Sequence, residues 1–106
     1  MSQRSSLENT EATGQSGLCI GAMRISSPVI LAPMSGVTDL PFRRLAQRYG
    51  AGMVVTEMIA SRDFANRKPD VMRRARGETL SPFVVQLAGR EAYWMGEGAR
   101  IATDLG

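Results

Sequence analysis

Any chemistry in this chain has to be done without histidine and with a single cysteine. The commonest proton carrier and metal ligand is therefore missing, and no Ser-His-Asp or Cys-His arrangement can be assembled. Cys19 alone excludes an internal disulfide framework and a multi-cysteine cluster, so no metal site is expected. It has no neighbouring base and is assigned no reactive role. What remains are groups that hold a ligand: the run Pro33-Met34-Ser35-Gly36, Glu57 with Met58, and Gln86. Small residues at 33–36 let backbone approach a flat ligand closely, and Met34 can lie against an aromatic ring. An ordinary strand-to-helix turn with a core methionine accounts for the same run. Gln86 is an amide inside an apolar strand, expected to be buried and so to need partners. A flavin edge, a nucleobase edge or a neighbouring loop backbone would each supply them. Glu57 reads most simply as a helix cap or as the ion-pair partner of a following arginine.

Three strand-then-helix units position these groups. Residues 28–33 form a continuous apolar run closed by proline at both ends, the pattern of a strand buried on both faces of a parallel sheet. Residues 18–26 before it read as a small hairpin turning at Gly21. Thr38 or Asp39 can cap a following helix whose first turn accepts Pro41, and whose stripe Phe42, Leu45, Ala46, Tyr49 predicts a core face. Gly50 ends it. Residues 53–57 are the second strand, 70–76 a short helix, 82–87 the third strand and 91–104 a helix in which Gly96 and Gly98 each cost about 1 kcal/mol relative to Ala. Alternating strands and helices predict right-handed βαβ units and a parallel sheet, whose ligands bind at the strands' carboxyl ends.

Composition sets the outer limits. The chain has 106 residues, 43% apolar and 22% charged, which suits one globular unit rather than a disordered chain. Residues 1–17 are polar and are expected to form a disordered tail ahead of an ordered unit at 18–106. They fit neither a secretory nor a mitochondrial leader, and no run of about 18 apolar residues predicts a membrane span; the expected setting is the reducing cytoplasm. Twelve arginines and Lys68 against ten acids give a net charge of +3. Six of these cations, Arg62, Arg67, Lys68, Arg73, Arg74 and Arg76, share the stretch 62–76 with only Asp63 and Asp70. Such a run is an ordinary solvated face or a phosphate contact. Three strands of parallel sheet leave both edges open, and the chain falls short of the about 250 residues that a (β/α)₈ barrel takes, so it is expected to be an unfinished part of a longer parallel α/β unit.

Several ordered motifs resemble one family. Leu31-Ala-Pro-Met-Ser-Gly-Val-Thr-Asp39, then Pro41-Phe42-Arg43, Gly50-Ala-Gly52 running into Val55-Thr-Glu-Met58, and Val85-Gln-Leu-Ala-Gly89 resemble the N-terminal part of the tRNA-dihydrouridine synthases, in the bacterial branch also described as nitrogen-regulation-like. The likeness extends from Leu18 to Gly106, with Ser35 standing where alanine is more usual. It implies an FMN-binding (β/α)₈ barrel with a helical tRNA-holding domain, NADPH as reductant, and hydride delivery to a uracil flipped out of tRNA. By position, Pro33, Met34 and Ser35 would line FMN and Gln86 would bond the isoalloxazine edge. The family's acid cysteine belongs to an Asn-x-Gly-Cys-Pro segment expected beyond Gly106, so no catalytic residue is assigned within these residues, and Cys19 is not its equivalent. A polypeptide of these 106 residues is therefore expected to show no synthase activity and little FMN binding. Two other readings are a dihydroorotate dehydrogenase-like FMN barrel and a small basic RNA-binding module without cofactor.

Overall fold

The structure is a computed structural model and describes residues 17–106. Apart from Gly17, the expected tail at 1–17 lies outside the described residues. In chain order the elements are β1 (Leu18–Ile20), β2 (Met23–Ile25), β3 (Ile30–Leu31), α1 (Leu40–Arg48), β4 (Met53–Val54), β5 (Ile59–Ala60), α2 (Ser61–Ala65), α3 (Pro69–Arg74), β6 (Leu87–Ala88) and α4 (Ala92–Leu105). The chain is thus α/β, with small sheets and helices. β1 and β2 form the expected antiparallel hairpin, with Gly21 at φ +61° in its turn. β3 pairs with β4 and β5 with β6, both in parallel. Between them Thr56 N–H donates to the Val84 carbonyl at 3.2 Å and Ile59 N–H to the Gln86 carbonyl at 2.9 Å, so residues 53–60 lie between β3 and the segment leading into β6.

α1 begins where the capping signals place it. Asp39 accepts from Phe42 N–H at 3.0 Å, and proline stands in the first turn, where its missing N–H costs nothing. The packing of α1 departs from the expected pattern. Phe42, Leu45 and Tyr49 of the apolar stripe are exposed, Tyr49 to 82%, whereas Arg43 is buried at 1%. Of the stripe, Ala46 and Tyr49 border a groove with Val29 and Ile30 beside the unpaired edge of β3. For the same reason the run 28–33 is not buried on both faces: β3 has a neighbour on one side only, and Val29 is 62% exposed.

The core lies on the other side, under β5 and β6. Ile59, Phe64, Val71 and Ala75 are buried there, ringed by Met72, Val85, Leu87, Ile101 and Ala102. The helix expected at 70–76 runs over Pro69–Arg74 and is preceded by α2, which sequence periodicity misses because Phe64 is its only large apolar residue. The second strand is interrupted at 55–58, dividing into β4 and β5, and the third-strand ladder falls at Leu87–Ala88 rather than over 82–87. The last helix, expected over 91–104, runs over Ala92–Leu105 and is closed by Gly106, whose N–H donates to the Thr103 carbonyl at 3.2 Å. Gly106 adopts φ +134°, the left-handed side of the map that glycine tolerates.

Two glycines with opposite surroundings test this packing. A Cβ on Gly52 would stand 2.1 Å from the Ser27 carbonyl oxygen, backbone that cannot swing aside. Gly52→Ala is expected to cost on the order of 1–3 kcal/mol. At Gly96 the nearest atom is the tip of Arg100 at 3.9 Å, so Gly96→Ala should stabilise by up to about 1 kcal/mol through helix propensity. Thermal unfolding of both variants checks the pair: equal midpoints for the two would refute this account.

Candidate functional site

The loop from β3 to α1 is built on Thr38. Its hydroxyl accepts from Met34 N–H at 3.0 Å and donates to the Met34 carbonyl at 3.2 Å, and that carbonyl also accepts from the backbones of Val37 and Thr38. Both polar groups of the Met34 backbone are committed, so its side chain, 40% exposed, is left facing outward. Beneath this turn lies Arg43. Its Nε donates to the Thr38 carbonyl at 3.1 Å and its Nη2 to the Arg74 carbonyl at 3.3 Å, tying the start of α1 to the end of α3. Burial pushes the Arg43 pKa down, against the opposing fields of Asp39, Glu57 and Glu78.

Glu57 supplies the second constraint. Its carboxylate accepts from Gly36 N–H at 3.1 Å and from the Ser35 hydroxyl at 3.5 Å, reaching across 21 residues of sequence. Gly36 sits at φ +75°, a conformation that costs a side-chain-bearing residue more than glycine. Glu57 is therefore a clamp on the 33–36 loop, neither a helix cap nor an arginine partner. The sequence reading missed this role because a contact between two loops has no periodic signature.

Gln86 differs from its expected setting. It lies just before β6 and is exposed rather than buried. Strand alternation explains this: Val85 and Leu87 pack against the helical core, so Gln86 projects from the opposite face. Its backbone N–H donates to Thr56 Oγ1 at 3.0 Å, and its side-chain amide has no hydrogen-bond partner among the described residues. Pro33 is half-buried at the start of the 33–36 loop, Ser35 is exposed, and Met58 is exposed beside Glu57. Cys19 is a free, exposed thiol in the β1–β2 hairpin. Gly106 is the exposed cap of α4. Among the described residues no acid or cysteine cluster could hold a metal ion, and no helix is long and apolar enough to cross a membrane.

Residues 30–106 match the family model described as Dihydrouridine synthase. The chain belongs to the dihydrouridine synthase family. Among its curated relatives, a probable tRNA-dihydrouridine synthase of Rhizobium leguminosarum is 56% identical over 84 residues, covering 79% of this chain and 26% of the relative. One of the same description from Rhodobacter capsulatus is 50% identical over 91 residues, covering 84% and 28%. The tRNA-dihydrouridine synthase B of Pseudomonas putida is 42% identical over 92 residues, covering 86% and 27%. The chain thus spans about a quarter of the length of the relatives it matches. No solved structure matches it. The resemblance read from the motifs is borne out.

The clamp can be tested directly in this family member. Glu57→Ala removes the acceptor for Gly36 N–H, while Glu57→Gln keeps one. The alanine variant should speed amide exchange at Gly36 about fivefold, in line with one lost hydrogen bond of about 1 kcal/mol, and the glutamine variant should leave it near the parent rate. Unchanged Gly36 exchange in Glu57→Ala would remove Glu57 from its assigned role.

Proposed function

We propose that the chain forms the first three βα units of an FMN-binding (β/α)₈ barrel that reduces uridine to 5,6-dihydrouridine in tRNA, with NADPH as reductant. The observation that carries this reading is the family match over residues 30–106, which contains the Met34 loop, Glu57 and Gln86 in one stretch. The parallel pairing of β3 with β4 and of β5 with β6 supports it, because βα loops of a parallel sheet gather on one side.

In this reading Pro33, Met34 and Ser35 line the flavin, with Met34 offering an apolar, polarisable surface to the ring face. The Gln86 amide, able to donate and accept at once, addresses the ring's polar edge. Glu57 holds the 33–36 backbone in place through Gly36 and Ser35, and Thr38 with Arg43 fixes the turn from below. FMN, when bound, supplies hydride transfer between NADPH and the uracil ring. The target uridine has to leave the base stack to be reached, and tRNA is accordingly the macromolecular partner. Cys19 sits in the hairpin and does not serve as proton donor, so a polypeptide of these 106 residues alone is expected to leave tRNA unmodified. The setting that goes with tRNA processing is the cytoplasm.

The test is to express the whole reading frame that contains this chain and incubate the purified protein with NADPH and tRNA lacking dihydrouridine. Mass spectrometry should find the gain of two hydrogens on a uridine, and Gln86→Leu should weaken flavin retention roughly tenfold, as loss of one hydrogen bond near the upper end of the usual range predicts. Flavin-loaded protein that leaves tRNA unchanged but is reduced by dihydroorotate would replace this reading with the other FMN barrel. Protein that binds RNA and never takes up flavin would replace it with the cofactor-free module.

A further inference from the structure

The arginine-rich stretch divides in two once its partners are known. Arg73 and Arg74 both bond to Asp70, Arg76 bonds to Glu78 through Nε at 3.1 Å, and Arg44 engages Thr79 and the Glu78 carbonyl. These cations are occupied within the chain. Arg62, Arg67, Lys68 and Arg90 are exposed, and none of them forms an ion pair among the described residues, although Asp63 and Glu91 are sequence neighbours.

Arg62 has a different partner. Its guanidinium carbon lies 5.4 Å from the centroid of the Trp94 ring, and Trp94 in turn meets Tyr93 edge-on, centroids 4.9 Å apart and planes at 78°. Tyr93 is 67% exposed. The fold puts these groups together for a clear reason. α2 follows β5 without a loop, and α4 starts four residues after the end of β6, so both helix starts lie at the carboxyl end of one parallel strand pair. The Ser61 hydroxyl donates to the Ala88 carbonyl at 2.9 Å and locks the two starts together.

A cation lying on an indole with an exposed phenol ring beside it, on two helices flanked in sequence by three more exposed cations without ion pairs among the described residues, makes two demands of a partner. It must be a polyanion, and it must carry flat rings that stack. An acidic peptide meets only the first demand. RNA meets both, with phosphates for the cations and unpaired bases for the aromatic rings. We propose that the Arg62–Trp94–Tyr93 cluster, with Arg67, Lys68 and Arg90, is an RNA-contacting surface, the cations on phosphates and the Tyr93 ring under an unpaired base. The proposal rests on the tRNA reading above and deepens it by assigning the part of this chain that touches the RNA.

Trp94 is the only tryptophan of the chain, so its emission reports on the surface. Bulk tRNA titrated into the full chain at low salt should quench that emission saturably, and polyglutamate should not. The apparent affinity should fall with salt at a slope of about 0.7–0.9 per phosphate engaged. Arg62→Ala and Tyr93→Ala should each weaken binding roughly tenfold, as stacking losses do. Tyr93→Phe, which keeps the ring, and Arg73→Ala, whose guanidinium already serves Asp70, should leave it near the parent value. Equal quenching by polyglutamate would reduce the surface to a non-specific cationic patch and overturn the proposal. Filter-retained tRNA with unchanged emission, indifferent to Arg62→Ala and Tyr93→Ala, would overturn the surface while sparing the tRNA reading. Absence of tRNA binding would overturn it as well, leaving the uridine-modification assay to decide the enzyme's substrate.

Discussion

A guanidinium with almost no contact with water and, among the described residues, no acid within ion-pair distance holds the candidate site in shape. Arg43 is 1% exposed, and its guanidinium donates to two backbone carbonyls, those of Thr38 and Arg74. Taking a cation out of water is expensive, and the cost is offset here by charge-assisted hydrogen bonds to backbone oxygens that would otherwise be short of partners. The surrounding carboxylates of Asp39, Glu57 and Glu78 favour the charged form from a distance. Because the two carbonyls belong to the start of α1 and the end of α3, one side chain sets the spacing between the layer carrying the Met34 loop and the layer carrying the core. Everything above it inherits that spacing. Thr38 can hold both polar atoms of the Met34 backbone only if its own carbonyl is fixed from below.

The clamp and the buried arginine act on opposite sides of one short loop. Glu57 takes Gly36 N–H and the Ser35 hydroxyl from one direction, and Thr38 on Arg43 takes Met34 from the other. A four-residue loop anchored at both ends loses its conformational freedom during folding rather than at the moment a ligand arrives. Ligand binding to such a loop is correspondingly less costly in ordering entropy. The contrast with Gln86 is instructive. Its backbone is committed to the strand ladder through Thr56 and Ile59, so the amide carrier is rigid while the amide itself has no partner among the described residues. Rigid backbone with unengaged polar tips is the arrangement a binding site needs and a structural core avoids.

What the sequence showed and what it hid follow from the range of the forces involved. The cap at Asp39, Pro41 in the first turn and the stop at Gly50 were legible because caps act within a few residues. The α/β alternation was legible because the core under β5 and β6 imprints its period on Val85, Leu87, Ile101 and Ala102. The face that α1 presents was misread. Phe42, Leu45 and Tyr49 have helical spacing, but a stripe shows only that something apolar should cover it, and here all three are exposed, with Tyr49 alone of them bordering the groove beside β3. Nothing in the sequence marks Arg43 for burial, since arginines are mostly exposed. Its burial depends on two carbonyls, one of them 31 residues away. The same limit hid the Glu57 clamp and the exposure of Gln86.

The arginines carry this argument one step further, since charge counted along a sequence overstates the charge a surface presents. Six cations against two acids over residues 62–76 suggested a basic stretch, yet folding brings Arg73 and Arg74 onto Asp70 and Arg76 onto Glu78. The Arg74 guanidinium beside Asp70 holds that carboxyl below its usual range, and Arg76 does the same to Glu78. These ion pairs offset part of the positive charge of the 73–76 segment. What remains without an ion pair among the described residues includes Arg62, Arg67 and Lys68, and of these Arg62 lies on the Trp94 ring at the start of α4. The distribution of partners, more than the number of arginines, decides where a polyanion would first be felt.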